Sequence, residues 1–286
     1  MSKHLILGCG FLGERLAEQL TAAEQQVVTS TRDSAKAQRL RQSGLLVQEG
    51  SFQDESVRRA LQAEGPFESI TVCVTNDSAE QSHQQVYLSA TDLAIDLVKT
   101  TAQGRVHFVS TTGVYAPVKL DGVTVDETWP TAPSRPGATA SLLCENRVRM
   151  FLPGQQNVFR LAGIYHPERL PNRAKLQAGD PIAGPADGWL NLIHADDAAA
   201  ILAQAALDPP LFDILNVADG CPVTRAEFYG AVAQREHLAP PVFDNQSSGR
   251  GGKKWIDTDL LLSWYSGEFR DPLDWEKTLA SVEENT

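Results

Sequence analysis

The chain has 286 residues, 42% hydrophobic and 21% charged, with a formal net charge of −11; such a composition suits a globular chain with one large core or two smaller ones. The acidic balance argues against nucleic acid and anionic membrane surfaces as partners, since both recruit basic faces, and no run of about 18 apolar residues could span a bilayer. Four cysteines, Cys9, Cys73, Cys144 and Cys221, lie far apart with no C-x-x-C pair, which favours reduced thiols over a metal site or a disulfide framework.

Met1-Ser2-Lys3 leads directly into an apolar run, His4-Leu5-Ile6-Leu7. No signal peptide is therefore expected, and with reduced thiols the expected location is the cytoplasm. The run is too short for a helix and reads as a strand. Gly8-Cys9-Gly10-Phe11-Leu12-Gly13 comes next, and Leu12, Leu16 and Leu20 keep a helical period. Strand, glycine turn and helix together are the context of a dinucleotide site. Gly8 permits the tight turn, Gly10 admits a pyrophosphate to backbone N–H groups, and Gly13 lets the helix pack on its strand. The helix start, with Phe11 and Leu12, adds unsatisfied donors and a positive dipole end.

Val27 to Thr31 is β-branched and reads as the second strand. Its end bears on the cofactor, because NAD sites place Asp or Glu about 20 residues past the turn. Ser30, Thr31 and Arg32 stand there, and hydroxyls with a guanidinium suit the 2′-phosphate of NADP. Asp33 keeps NAD as the alternative, although its position also suits the N-cap of a helix from Ser34 to Leu40. Leu45-Leu46-Val47 reads as a third strand, and Asp54 as the cap of a helix from Glu55 to Leu61. Ile70 to Val74 is a fourth strand, with Thr75 at its end facing the cofactor crevice. A helix near Gln84 to Ala102 and a strand from Val106 to Val109 follow. The alternation predicts an α/β fold with a Rossmann-type doubly wound parallel sheet. Residues 1–160 would form the dinucleotide-binding domain. Residues 161–286 would add late strands and helices to it and build a small C-terminal substrate lobe.

From Ser110-Thr111-Thr112-Gly113-Val114-Tyr115 onward the chain resembles the extended short-chain dehydrogenase/reductases, the NAD-dependent epimerase/dehydratase family. Arg160 to Pro167 is similar to the family's R-x-x-x-I-Y-G-P segment, and Asn191 to Ala198 to its N-x-I-H-x-x-D-x-A segment. Leu215-Asn216-Val217 matches the strand that follows. The resemblance implies a small carbonyl or sugar-like substrate and Thr111 bonding the reacting oxygen. It also implies His194 as a buttress and allows a homodimer through helices beside the active site. It further implies a Y-x-x-x-K helix, whose Tyr moves a proton and whose Lys assists it. In register with that helix the chain reads Pro136-Gly137-Ala138-Thr139-Ala140-Ser141, so Gly137 and Ser141 stand where Tyr and Lys would be. Pro136-Gly137 would also allow a helix start delayed by a turn.

Two readings follow. In one, the chain is an oxidoreductase, epimerase or dehydratase with another proton donor among Tyr115, Tyr165, His166 and Cys144. In the other it is a non-catalytic NADP-binding regulatory or redox-sensing module. Lys119, Asp121 and Asp126, and separately Arg169, Arg173 and Lys175, could meet a substrate or partner but equally form solvated surface. Arg250, Lys253 and Lys254 belong to a polar, glycine-rich stretch from Asp244 that reads as an exposed loop, while the resemblance allows them a contact with the diphosphate of a nucleotide sugar; Ala195 to Leu207 reads as a helix. Trp255, Trp264 and Trp275 suggest packing of terminal helices.

Overall fold

The computed structural model describes residues 1–76, 80–118, 122–247 and 254–274. Lys119, Asp121, Arg250, Lys253 and Trp275 lie outside these residues. Strands and helices alternate from Lys3 to Thr111, and a further helix follows after a short strand, Val123–Val125: β1 (Lys3–Leu7), α1 (Phe11–Ala22), β2 (Gln26–Thr31), α2 (Ser34–Gln42), β3 (Leu46–Glu49), α3 (Glu55–Glu64), β4 (Ser69–Val72), α4 (His83–Thr101), β5 (Arg105–Thr111) and α5 (Pro136–Phe151). With strands Gln156–Leu161 and Ile214–Val217 they form a seven-stranded sheet, ordered Ile214–Val217, Gln156–Leu161, β5, β4, β1, β2, β3. All neighbouring pairs among β1 to β5 are parallel, with His4 opposite Val27 on one side and Ser69 on the other. Order reverses at β1, so the crevice beyond its carboxyl end is a topological switch point, where open α/β sheets bind ligands.

Two compact units divide the chain. The first takes residues from Met1–Val114, Pro133–Arg160 and Ala198–Leu215; the second takes them from Tyr115–Ala132, Leu161–Asp197 and Asn216–Thr286. In the first, β4 is buried at all four positions, as a central parallel strand covered on both faces must be. Leu5, Ile70, Val106 and Phe108 from the sheet meet Leu93, Leu97 and Val148 from α4 and α5. Each such side chain contributes about 1.5–3 kcal/mol relative to its exposed state. His107, between Val106 and Phe108 on β5, is also fully buried, with its ring 5.8 Å from that of Phe159, and neither ring nitrogen finds a hydrogen-bond partner among the described residues. Burial, then Arg105 and His4, pushes its pKa down to about 3, so the ring stays neutral. Glu145 of α5 forms a buried ion pair with Arg160 at 2.7 Å and accepts a short hydrogen bond from the Ser110 hydroxyl.

In the second unit, Leu192–His194 runs parallel to Gly163–Tyr165, and Lys254–Ile256 parallel to Val123–Val125. Its core gathers Tyr165, Leu176, Ile182, Leu192 and Phe228. Helix Arg225–Arg235 begins with a capping box between Thr224 and Glu227.

Several local expectations change. Asp54 does precede α3, but its carboxylate accepts from the Ser51 amide at 3.1 Å and leaves the helix without a side-chain cap. β4 stops at Val72, two residues short of the expected end, and the Cys73–Val74 backbone passes close against Gly8. α5 begins at Pro136 itself, whose missing N–H costs nothing in a first turn, so no delay occurs. Trp255 lies on a strand, edge-on to Trp189 at 5.4 Å, and not in a terminal helix. The helix Ala195–Leu207 has the expected bounds. Among the described residues, no helix is long and apolar enough to cross a membrane.

Candidate cofactor site

The turn after β1 is built by backbone contact. Gly8 has φ +97°, and a Cβ there would stand 2.6 Å from the Val74 nitrogen and 2.7 Å from the Cys73 carbonyl carbon. Only glycine fits both the conformation and the space. A Cβ on Gly13 would lie 2.5 Å from the Gly8 carbonyl oxygen, so α1 sits directly on the turn. Gly10 differs, since a Cβ there would meet nothing within 4 Å. It precedes α1 and provides no side-chain cap, leaving the helix start open to an anion.

The turn forms one wall of a cleft of ≈ 780 Å³, open to solvent, and every residue lining it belongs to the first unit. Gly8, Gly10, Ser30, Thr31, Arg32 and Thr75 line it as expected, whereas Phe11, Leu12 and Gly13 do not. Leu12 and Gly13 are buried on the inner face of α1, and Phe11 stacks under the Arg15 guanidinium at 3.9 Å. Sequence reasoning missed Ser51, Phe52 and Gln53 after β3, and Gln81 and Val86 around the start of α4. Their signal was positional, because loops at the carboxyl ends of parallel strands share one edge.

At the end of β2, Arg32 is exposed and lines the cleft. Asp33 is engaged elsewhere, its carboxylate accepting from the Lys36 amide at 3.0 Å as the cap of α2. Glu14 occupies the other cations nearby, with Lys36 and Arg39 each at 2.6 Å. These residues fit a nicotinamide dinucleotide: open backbone at Gly10 and an uncapped helix for pyrophosphate, hydroxyls and a guanidinium for a phosphorylated ribose.

The remaining candidates divide between the units. Thr111 ends β5, and its hydroxyl accepts from the Gly113 amide at 3.1 Å. In the second unit, Tyr115 is buried and donates to Asn216 Oδ1 at 2.6 Å. Tyr165 is fully buried and donates to the Arg270 carbonyl at 2.9 Å. Burial, then Asp219 and Asp197, raises its pKa well above the usual phenol range. His166 is buried, with Nδ1 accepting from the Glu168 amide at 3.2 Å. Burial pushes the Cys144 thiol up to about 11, which makes it a poor acid at neutral pH. His194 is buried edge-on to Tyr165 at 5.1 Å. Arg173 pairs with Glu236 at 3.0 Å, Lys175 reaches the Pro181 carbonyl at 3.3 Å, and Asp126 closes a local turn with Thr128. Asp219 was not anticipated. Burial raises its carboxyl to about 7, although the Cys221 amide donates to it at 3.0 Å.

Residues 4–218 match the NAD dependent epimerase/dehydratase family. The chain belongs to that family. Among curated relatives, this family member is 28% identical to protein YeeZ of Escherichia coli strain K12 over 277 residues, covering 95% of this chain and 97% of that one. Among solved structures, it shares its fold with WbmH of Bordetella bronchiseptica in complex with NAD+, with a TM-score of 0.81, 19% identity and coverage of 99% and 98%. UDP-glucose 4-epimerase of Thermotoga maritima with UDP-glucose matches with a TM-score of 0.79, 16% identity and 99% coverage of both chains.

Proposed function

We propose that this family member binds NADP(H) in the cleft of the first unit and is an oxidoreductase, epimerase or dehydratase acting on a small carbonyl or sugar-like substrate. The carrying observation is the turn: backbone excludes side chains at Gly8 and Gly13, while Gly10 opens beside the uncapped start of α1. Gly10 and that helix start would hold the pyrophosphate. Ser30, Thr31 and Arg32 would hold the phosphorylated ribose, with Thr75 along the wall. The cofactor supplies hydride transfer when bound. The preference for NADP rests on exposed Arg32 together with the engagement of Asp33 in capping α2. The NAD+ bound by WbmH keeps NAD as the alternative.

Thr111 would hydrogen-bond the reacting oxygen. Tyr115 and Tyr165 would each have to release a hydrogen bond, to Asn216 or to the Arg270 carbonyl, before serving as an acid. The second reading, a regulatory or redox-sensing module without turnover, is favoured by Gly137 and Ser141 in α5, since neither side chain can do the work of a Tyr-Lys pair. Fluorescence titration with NADPH and NADH tests the first part, and tighter NADH binding overturns the Arg32 argument. Cofactor oxidation against an aldehyde, a ketone and a nucleotide sugar tests the second. Tight binding without turnover on any of them supports the module.

A further inference from the structure

α5 presents bare backbone at Gly137, and the space beside it is filled from another helix. A Cβ on Gly137 would lie 3.3 Å from His83 Cδ2 and 3.6 Å from its Nε2. His83 is the first residue of α4 and falls between Gln81 and Val86, both of which line the cofactor cleft. Val86 is three residues further on, so the two share one face of the helix. The imidazole is half-buried and stands edge-on to Tyr87, with centroids 5.9 Å apart. Among the described residues, neither ring nitrogen is held in a hydrogen bond or an ion pair.

We propose that His83 is the proton-transfer residue of this cleft, working from the space that Gly137 leaves empty. The neutral ring accepts the proton of a substrate hydroxyl; the O–H electron pair stays on oxygen and the imidazole becomes imidazolium. In the opposite direction the imidazolium returns the proton to that oxygen. Imidazole is the side chain whose ordinary titration lies near neutral pH, which suits it to both directions. Among the described residues, the Tyr87 ring stands edge-on to it from its own helix and the uncharged backbone at Gly137 lies beside it. A ring serving only as filler would be replaceable by Phe, which brings similar volume and no transferable proton.

The proposal rests on the cleft binding a nicotinamide dinucleotide, and the test separates the two. In the full chain, the histidine ring signals are followed by NMR against pH, with His83 identified by its loss in His83→Phe. Its titration midpoint should fall with NADP+ bound relative to NADPH, because the positive nicotinamide disfavours imidazolium. His83→Phe should bind NADPH with unchanged affinity while carbonyl reduction drops by about 10²–10⁴-fold. A midpoint identical with NADP+, with NADPH and without either overturns the proposal, as does a full rate in His83→Phe. If the wild-type chain binds neither cofactor, both readings fall; binding that leaves the His83 midpoint unmoved overturns this one alone.

Discussion

Two helix starts in the first unit carry glycine under opposite constraints. At α1, a side chain on Gly8 or Gly13 would run into main chain at 2.5–2.7 Å. At α5, a side chain on Gly137 would meet only the edge of an imidazole at 3.3 Å. Main chain in a sheet crossover cannot retreat, whereas a ring on the first turn of a helix can rotate away. The glycines of α1 are therefore required by the fold, and Gly137 is not. Its presence bears on what the cleft does, since a side chain there would compete with His83 for one space.

Substitutions should expose this difference. The largest effect is expected at Gly8→Ala, where a positive φ and backbone overlap combine to cost about 3 kcal/mol; chemical denaturation should show that loss, together with loss of NADPH binding. A stable Gly8→Ala that still binds cofactor would remove the contrast. Arg32→Ala leaves the turn intact and should weaken NADPH by about 10- to 100-fold, the worth of a charge-assisted phosphate contact, while NADH affinity hardly changes. Comparative titration reads this directly.

The third prediction concerns the sheet beneath both helices. His107 is neutral in the fold with its pKa near 3, against about 6.5 when unfolded. Its folded value is depressed, so its contribution is intact above the unfolded value. Below that, the unfolded state binds the proton first, and stability drains as pH falls towards 3. Between pH 7 and pH 5 the loss from this group is about 2 kcal/mol. His107→Phe should flatten that acid limb in denaturation at several pH values. The smallest effect is expected at Gly137→Ala, within about 1 kcal/mol of wild type or slightly stabilising, because alanine favours the helix. If Gly137→Ala proves as damaging as Gly8→Ala, the comparison between the two helix starts fails.

Local patterns were legible in the chain. The strands His4–Leu7 and Val27–Thr31 extend by only a residue in the structure, since short apolar and β-branched runs bounded by polar residues or glycine admit few alternatives. The Asp33 cap was readable because its partner, the Lys36 amide, is three residues away. Asp54 had the same local pattern, yet its carboxylate turned back to Ser51, a competition between two neighbouring amides that sequence does not rank. Contacts across long separations were not legible at all. The Tyr115–Asn216 bond spans 101 residues, and it engages a hydroxyl that sequence reasoning offered as a proton donor. Trp255 looked helical beside Trp264 because nothing local shows that Lys254–Ile256 pairs with Val123–Val125.

The sequence by itself determined the alternating strands and helices, the glycine turn, the Ser30-Thr31-Arg32 ending of β2 and the family. Each of these depends on periodicity, backbone freedom or motif spacing within short stretches. Only the tertiary structure decided which glycines are held by main chain, that the Tyr115 hydroxyl is engaged by Asn216, and what fills the space beside Gly137. Those outcomes depend on packing between segments far apart in the chain, and there the imidazole of His83 meets a helix 54 residues further on.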